Sequence, residues 1–398
     1  MNSKLIFFLI LGLDALILLF ETSHLSISYN EALLLYGDKS LLQQLSYFFI
    51  NIFGQNDIAL RLGMILLHLG SVVLLYLISK KYLKSERNRL WLVLIFVLLP
   101  GVISAALVVN HAGVIIFGLL LYIYLSSKII DERYIFLLLF VYALLDSGFS
   151  YLFLGLGVYY YFAKNRWMFL SNLGLYILSI SLYNIKIHGS PSGHFLDILG
   201  LYSAIFTPII FIYIFYVLYK RYLTHKIDKL WYISTTALII SLILSFRQRI
   251  DIEVFAPYLI VSLPLVAQSF SSSYRVRVKE FRKKYKFIFI ISLMFLLFNA
   301  FVVFFNQELY RFIDNPKKHF AYDMHVAKEL ANYLKANDIR CVKTDYKMQL
   351  RLKFYGIDEC NSIILKELSL DKIKTANVTI SYSNQPVYRA YVTKINNK

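Results

Sequence analysis

Residues 275–305 read RVRVKEFRKKYKFIFIISLMFLLFNAFVVFF, a densely basic run followed by nineteen residues without a charged side chain. An apolar run of this length crosses a bilayer as a helix, and Lys and Arg beside a span stay on the cytoplasmic side. The same alternation recurs upstream, so this stretch predicts how the rest of the chain is organised.

Ten more apolar segments precede this one. The predicted spans are 4–20, 58–78, 90–109, 112–127, 134–146, 148–162, 168–185, 198–219, 230–246, 254–270 and 287–305. Alternate connectors are rich in Lys and Arg, namely 80–89, 128–133, 164–166, 220–229 and 275–286. A tryptophan begins the span after three of them, as expected at a headgroup region: Trp91, Trp167 and Trp231. The pattern predicts a cytoplasmic N-terminus. Residues 1–20 lack a small-residue cleavage site and are interpreted as a retained first helix.

The predicted fold class is an α-helical polytopic membrane protein with about eleven transmembrane helices. Nine spans plus a short hairpin are the alternative, because Tyr134–Asp146 and Gly148–Phe162 are short for ~30 Å of hydrocarbon and turn at Asp146-Ser-Gly148. Asp14 lies inside the first span, where a carboxylate is costly. It is therefore expected to face the bundle interior and to have a partner.

Two regions outside the spans have their own character. Residues 39–50, within the long loop 21–57, have helical apolar spacing and predict a helix in the outer interface. Residues 306–398 predict a small extracytoplasmic α/β domain, separate from the bundle of residues 1–305. Its predicted helices are Asp323–Asn337 and Tyr346–Phe354, and its predicted strands are Ile339–Lys343, Ser362–Leu365, Val378–Ser383 and Val387–Thr393. Cys341 and Cys360 would meet if neighbouring strands are parallel, so they form either a disulfide or two inert thiols.

Composition excludes some classes of function. The chain is 58% hydrophobic and 17% charged, and half of its 42 Lys and Arg lie beside predicted spans. Membrane orientation and anionic lipids therefore explain the net charge of +18, and nucleic acid is not an expected partner. The abundance of Lys and Tyr with only 7 Pro is typical of an AT-rich bacterial genome. The expected location is the cytoplasmic (inner) membrane, with the C-terminal domain in the periplasm.

Polar residues at the outer ends of the spans are the candidates for chemistry. Each also has a structural interpretation: a solvated loop carboxylate, a helix-end cap or an arginine anchored on phospholipid headgroups. The set comprises Tyr29, Asn30, Glu31, Arg61, Asn110, His111, Asp146, Arg247 and Arg249. No metal-ligand spacing is present, and the sequence leaves divalent-metal use undetermined.

Several phrases follow an order found in a known family. They are Tyr29-Asn30-Glu31-Ala32 after the first helix, 53–62 (FGQNDIALRL) opening the second span, Pro100 with Asn110 in the third, Arg247-Gln248-Arg249 before Pro257 and Pro264, and Arg351-Leu-Lys-Phe-Tyr-Gly356. This order resembles the membrane-embedded C-type glycosyltransferases of the protein O-mannosyltransferase and aminoarabinose transferase kind. Asn30-Glu31 stands at the position of the family's acidic pair, with Asn30 in place of the aspartate. Leu41-Leu-Gln-Gln44 stands in place of the family's His-Pro-Pro-type phrase.

The resemblance implies transfer of a sugar from a polyprenyl-phosphate carrier to a hydroxyl of a glycan, lipid or protein at the outer membrane surface. Glu31 is then the expected general base and His111 the alternative, with Asn110 beside it at the place of a second acid. Arg247 and Arg249 are expected to bind the departing phosphate, since guanidinium donates paired hydrogen bonds to phosphate oxygens. Arg61 either joins the substrate site, with Tyr29 and Asn30, or pairs with Glu31.

Two other classes of function stay open. A catalytically degenerate relative that assembles envelope glycans fits Asn30 and Asn110, which stand where the family has acids. A transporter or flippase also has many spans, but it more often shows an internal repeat or helices broken at the midplane.

Overall fold

Helices account for most of the structure, a computed structural model that describes residues 3–37, 40–129, 132–184, 193–368 and 377–394. All eleven predicted apolar segments are helical within these ranges. The helices up to residue 304 are α1 Ser3–His24, α2 Tyr29–Tyr36, α3 Leu41–Phe53, α4 Asp57–Tyr82, α5 Glu86–Leu98, α6 Pro100–Leu107, α7 His111–Ser126, α8 Glu132–Leu145, α9 Ser150–Phe162, α10 Arg166–Tyr183, α11 Phe195–Phe206, α12 Pro208–Leu223, α13 Lys229–Ser245, α14 Ile252–Ile260, α15 Leu263–Val276 and α16 Lys279–Phe304.

Prolines break two segments that were predicted to be single helices. The chain bends by 61° between α5 and α6 at Pro100, and by 106° between α11 and α12 at Pro208. Proline has no N–H for the helical hydrogen bond and disfavours helical geometry in the residue before it. That preceding residue is Thr207 in the sharper bend, with a φ of 64°. The predicted spans 90–109 and 198–219 are therefore each two helices.

Four helical stretches are long and apolar enough to cross a membrane: Ser3–His24, Asp57–Tyr82, Ile252–Val276 and Lys279–Phe304. The number rises to six if each bent pair is one span, and further apolar helices are shorter. Within the described residues, the chain is therefore a polytopic membrane protein with at least four candidate spans. The count of eleven and the orientation of the termini stay predictions.

The predicted turn at Asp146 and a partner for Asp14 are both present. A 3₁₀ turn, Ser147–Phe149, joins α8 to α9 at the predicted place. The Asp14 carboxylate of α1 lies 2.7 Å from Nε2 of His68 in α4, and both side chains are buried. The His68 ring stacks on Phe96, with 5.9 Å between the ring centres. The prediction that Asp14 is paired in the bundle interior is confirmed.

The chain divides into two compact units, which are described separately. The first contains residues 1–16, 64–106 and 110–300, and the second contains 17–63, 107–109 and 301–398. The loop 21–57, which was assigned to the bundle from sequence, thus lies in the second unit with the C-terminal segment. Its interfacial pattern forms α3, which starts at Leu41; Lys39 lies outside the described residues.

The C-terminal part of the second unit packs two helices on a small sheet. Its helices are α17 Ala327–Ala336 and α18 Tyr346–Phe354, and its strands are β1 Ile363–Glu367, β2 Val378–Tyr382 and β3 Gln385–Lys394. The strand order is β1-β3-β2, with both pairings antiparallel: Leu365 faces Val392 and Ile380 faces Tyr388. Buried Leu330, Leu334 and Leu352 fill the core, each worth about 1.5–3 kcal/mol of transfer free energy.

The first predicted strand of this domain is not formed, although its segment runs parallel to β1 as expected. Residues 339–343 form only two isolated parallel bridges, Cys341 with Asp358 and Lys343 with Ile364, and no extended strand. These bridges nevertheless bring the two cysteines together. Cys341 and Cys360 form a disulfide with their Cα atoms 5.5 Å apart.

Buried histidine makes the second unit sensitive to acid. Burial lowers the pKa of His325 to about 3, aided by the nearby His319 and Arg351, whereas an unfolded histidine titrates near ~6.5. The unfolded chain therefore binds more protons between these values. The contribution of His325 to stability is complete above pH ~6.5 and falls by up to about 1.4 kcal/mol per pH unit below it.

We expect the thermal unfolding midpoint to fall between pH 7 and pH 5, and to fall less in His325→Gln. The measurement is scanning calorimetry of the full chain at both pH values. His24→Gln, which changes an exposed histidine, is the matched control. An equal pH slope in His325→Gln and wild type would contradict the assignment.

Candidate functional site

The segment after α1 in the second unit carries a helix cap that explains part of the position of Glu31. Ser28 and Glu31 form a capping box: the Glu31 N–H donates to Ser28 Oγ at 3.2 Å, and the Ser28 N–H donates to Glu31 Oε2 at 2.9 Å. Each satisfies a free amide at the start of α2. The Ser-X-X-Glu spacing is a visible sequence signal for this role, and the interpretation of Glu31 as a base did not use it.

Glu31 is also paired with Arg61, and neither side chain has any exposed area. Arg61 Nε donates to Oε1 at 2.8 Å and Nη2 donates to Oε2 at 2.7 Å. The Val109 N–H donates to Oε1 at 3.0 Å. Together with Ser28, these donors give each carboxylate oxygen two hydrogen bonds. Of the two roles expected for Arg61, substrate binding and pairing with Glu31, the structure shows the pairing.

Charge explains how a carboxylate stays ionised at this depth. Burial by itself raises the pKa of Glu31, but the adjacent Arg61 charge and the hydrogen bonds outweigh it, so the pKa lies below its usual value. Arg61 also donates to the carbonyl oxygens of Leu25 and Ser26, at 3.0 and 2.9 Å. The pair therefore fixes the backbone that precedes α2.

Residues of the phrase Arg351–Gly356 hold the same backbone. Arg351 Nε donates to the Ile27 carbonyl at 2.9 Å, and the Ile27 N–H donates to the Tyr355 hydroxyl at 2.9 Å. The Tyr355 hydroxyl donates to Asp57 Oδ1 at 2.6 Å. Lys328 Nζ completes this end of α4, 2.8 Å from Asp57 Oδ2. Sequence reasoning noted this phrase only as a family likeness and did not identify its contacts.

Tyr29 and Asn30 do not share the buried position of Glu31. Asn30 is exposed, and the half-buried Tyr29 ring lies 6.4 Å from Tyr346 between ring centres. Lys347 Nζ is 5.3 Å from the centre of the Tyr29 ring. Their predicted role in substrate binding stays a prediction.

The first unit contains a second group of candidate residues, at the start of α7. Asn110 is the N-cap, accepting the Gly113 N–H on Oδ1 at 3.0 Å. His111 Nδ1 lies 2.5 Å from Asp146 Oδ2, and the Gly148 N–H donates to the other oxygen of Asp146 at 2.7 Å. An ionised aspartate can only accept, so His111 donates from Nδ1, and this hydrogen bond raises the pKa of His111 above its usual value. In the neutral ring, Nε2 then has the lone pair.

Exposure separates the two members of this dyad. The Asp146 side chain is 4% exposed and the His111 side chain 43%. The carboxylate is therefore held in place, while the imidazole is accessible to a ligand. Sequence reasoning named both residues but did not connect them, because 34 residues separate them in the chain.

Arg247 and Arg249, also in the first unit, are both exposed. Arg249 lines a cavity of about 470 Å³ with His194, Asp197, Gly200 and Leu201. His194 Nδ1 lies 3.0 Å from Asp197 Oδ2 at this cavity. No described residue bonds to Arg249, so its guanidinium donors are available to a ligand. Across the described ranges, His, Cys, Asp and Glu form no group of three or more that could hold a metal ion.

Comparison with solved structures shows a likeness in fold. No family model and no curated protein matches the chain in sequence. The fold is similar to that of ArnT from Cupriavidus metallidurans, crystallised in the apo state, with a TM-score of 0.55 and 12% identity over 98% of each chain. ArnT is an aminoarabinose transferase and a C-type glycosyltransferase. At this identity the likeness concerns the fold, and it confirms the architecture that the sequence resemblance implied.

Neutralising one partner of the buried pair tests its structural role. We expect Glu31→Gln to lower the free energy of unfolding by about 3–5 kcal/mol, because it leaves Arg61 charged and buried without a counter-charge. The double variant Glu31→Gln/Arg61→Gln should be more stable than the single one. Denaturant unfolding in detergent measures both.

The matched control is Asn30→Ala, which alters the exposed neighbour of Glu31. Wild-type stability in Glu31→Gln would show that the buried pair does not hold this segment.

Proposed function

We propose that the chain is a membrane glycosyltransferase that moves a sugar from a polyprenyl-phosphate carrier to an acceptor hydroxyl. The likeness to the ArnT fold over 98% of both chains supports the class of protein. The observation that carries the chemistry is the His111–Asp146 dyad, whose Nδ1–Oδ2 distance is 2.5 Å. It combines an accessible imidazole with a buried carboxylate that orients it.

His111 acts as the general base in this proposal. The acceptor oxygen attacks the anomeric carbon, the bond from that carbon to the phosphate oxygen breaks, and the acceptor proton passes to Nε2 of His111. Asp146 holds the tautomer that leaves Nε2 unprotonated and stabilises the imidazolium that forms. The bond electrons leave with the polyprenyl phosphate, so the step needs no redox partner.

Glu31 takes a positioning role instead of the base role that the family likeness placed first. A base needs a lone pair directed at its substrate, and the four hydrogen bonds to Glu31 occupy both oxygens. The side chain is also fully buried. The hydrogen bonds of Glu31, and its pairing with Arg61, therefore hold the segment Leu25–Ser28 in place.

Arg249 is the proposed ligand of the carrier phosphate, assisted by Arg247. Charge develops on the phosphate as the sugar leaves, and guanidinium donors stabilise that charge. Arg249 suits this role since it is exposed, lines a cavity and has no bond to a described residue. The acceptor class and any role of a divalent metal are not part of the proposal.

The proposed location of the reaction is the outer face of the cytoplasmic membrane. Basic connectors predict which loops stay inside, and the disulfide of Cys341 and Cys360 suits an oxidising compartment. Both support an extracytoplasmic C-terminal segment.

Removal of the base should slow transfer strongly and leave the bound carrier in place. We expect His111→Gln to lower kcat by about 10²–10⁴-fold, because a positioned base contributes that much, and to leave carrier binding unchanged. The assay follows transfer of radiolabelled sugar from polyprenyl phosphate to total membrane acceptors. His225→Gln, a distant change of the same type, is the control. Wild-type turnover in His111→Gln would exclude His111 as the base.

The arginine should govern binding of the carrier. In native mass spectrometry of the protein purified from its own membrane, we expect polyprenyl phosphate, or its glycosylated form, to co-purify with wild type and with His111→Gln. It should be lost or strongly reduced in Arg249→Ala. Arg166→Ala, which removes another exposed arginine, should retain it. Retention of ordinary phospholipids alone by all four proteins would contradict the proposed donor.

A further inference from the structure

The carboxylate of Asp146 depends on the turn between α8 and α9. One oxygen, Oδ1, accepts the Gly148 N–H at 2.7 Å, and the other faces His111. A planar carboxylate held at one oxygen has a fixed direction at the other. The position of the Gly148 peptide therefore sets the orientation of His111.

Tyr258 of α14 holds the neighbouring peptide of the same glycine. Its hydroxyl donates to the Gly148 carbonyl oxygen at 2.6 Å. The side chain has no exposed area, and its own carbonyl accepts the Ser234 hydroxyl at 2.8 Å. Tyr151 packs edge-on against its ring, with 6.4 Å between centres. The backbone and the ring of Tyr258 are thus both held, and its hydroxyl is directed at the Gly148 carbonyl.

Gly148 is closely packed, and a side chain at this position would require its neighbours to move. A Cβ placed on Gly148 would lie 2.2 Å from Ile115 Cδ1 and 3.0 Å from Asp146 Oδ1. Ile115 is in α7, one turn after His111. Packing on one side and the Tyr258 hydroxyl on the other therefore confine Gly148, the residue whose N–H directs Asp146.

We propose that Tyr258 is a positioning residue of the dyad: through Gly148 and Asp146 it fixes the tautomer and direction of His111. This deepens the proposed function and rests on it for any effect on turnover. Tyr258 is on α14, which begins at Ile252, and Arg249 lies just before this helix. It therefore also connects the segment carrying the proposed phosphate ligand to the segment carrying the base.

The test reads the dyad directly, by ring-¹⁵N NMR of the histidine-labelled full-length protein in nanodiscs. The chain has 8 histidines, and the His111 signals are assigned by their loss in His111→Gln. The charged groups facing His111 are Asp146, Glu253 and Asp251, and they are unchanged in every variant compared. In wild type, at pH values above the raised pKa of His111, we expect a neutral imidazole protonated on Nδ1.

In Tyr258→Phe we expect a mixture of the two tautomers and a titration midpoint closer to that of an unpaired histidine. Turnover should fall by roughly 10- to 100-fold with the KM for the carrier unchanged, since small misplacement of a base costs this much. Gly148→Ala disturbs the same peptide by packing and should shift the His111 signals in the same direction. Tyr202→Phe is the matched control, because it also deletes a fully buried hydroxyl, one that bonds to Ser241 at 2.8 Å.

Identical His111 signals and midpoints in Tyr258→Phe, Tyr202→Phe and wild type would overturn the positioning role, whatever the activity. Failure of the proposed function is a different result: His111→Gln would then turn over like wild type. The NMR comparison still decides the role of Tyr258 in that case, because it does not depend on transfer.

Discussion

The buried pair of Glu31 and Arg61 is the interaction on which the second unit depends. Two opposite charges removed from water are tolerated only when their remaining donors and acceptors are bonded. Here Arg61 bonds to two backbone carbonyls and Glu31 to two backbone amides. Backbone carbonyls and amides thus supply the hydrogen-bond partners that the two buried charges need. The irregular segment Leu25–Ser28 is therefore held by hydrogen bonds from buried side chains.

Arg351 and Tyr355 extend this network from the other end of the sequence. They are more than 300 residues from Ile27, yet they bond to its carbonyl and its amide. Buried polar groups supply direction that apolar packing lacks. Much of the geometry near the start of the chain is therefore determined by residues close to its C-terminal sheet.

Much of the bundle could be predicted from sequence, because apolar length and basic connectors are local signals. The turn at Asp146, the existence of a partner for Asp14 and the helix Tyr346–Phe354 followed from such signals, but His68 was not identified as that partner. The bends at Pro100 and Pro208 were visible as prolines, although their angles depend on packing. The predicted strand at 339–343 was wrong, because this segment makes only two isolated bridges and no continuous ladder. The candidate site was harder: His111 and Asp146 were each recognised, but only folding brings them together. Glu31 was assigned from family likeness, while Ser28 three residues earlier indicated a cap.

The order of the C-terminal sheet has a consequence for how the protein is made. β3 lies between β1 and β2, so it contributes a partner to each of them, and it is the last of the three to leave the ribosome. Until it emerges, both edge strands have unpaired amides and the apolar faces of Leu365 and Ile380 lack their cover. The cysteines, in contrast, are both available before any strand has a partner. In this segment the Cys341–Cys360 disulfide can therefore form before the hydrogen-bonded sheet does. The loop between the two cysteines is then already closed when β3 pairs with β1 and β2.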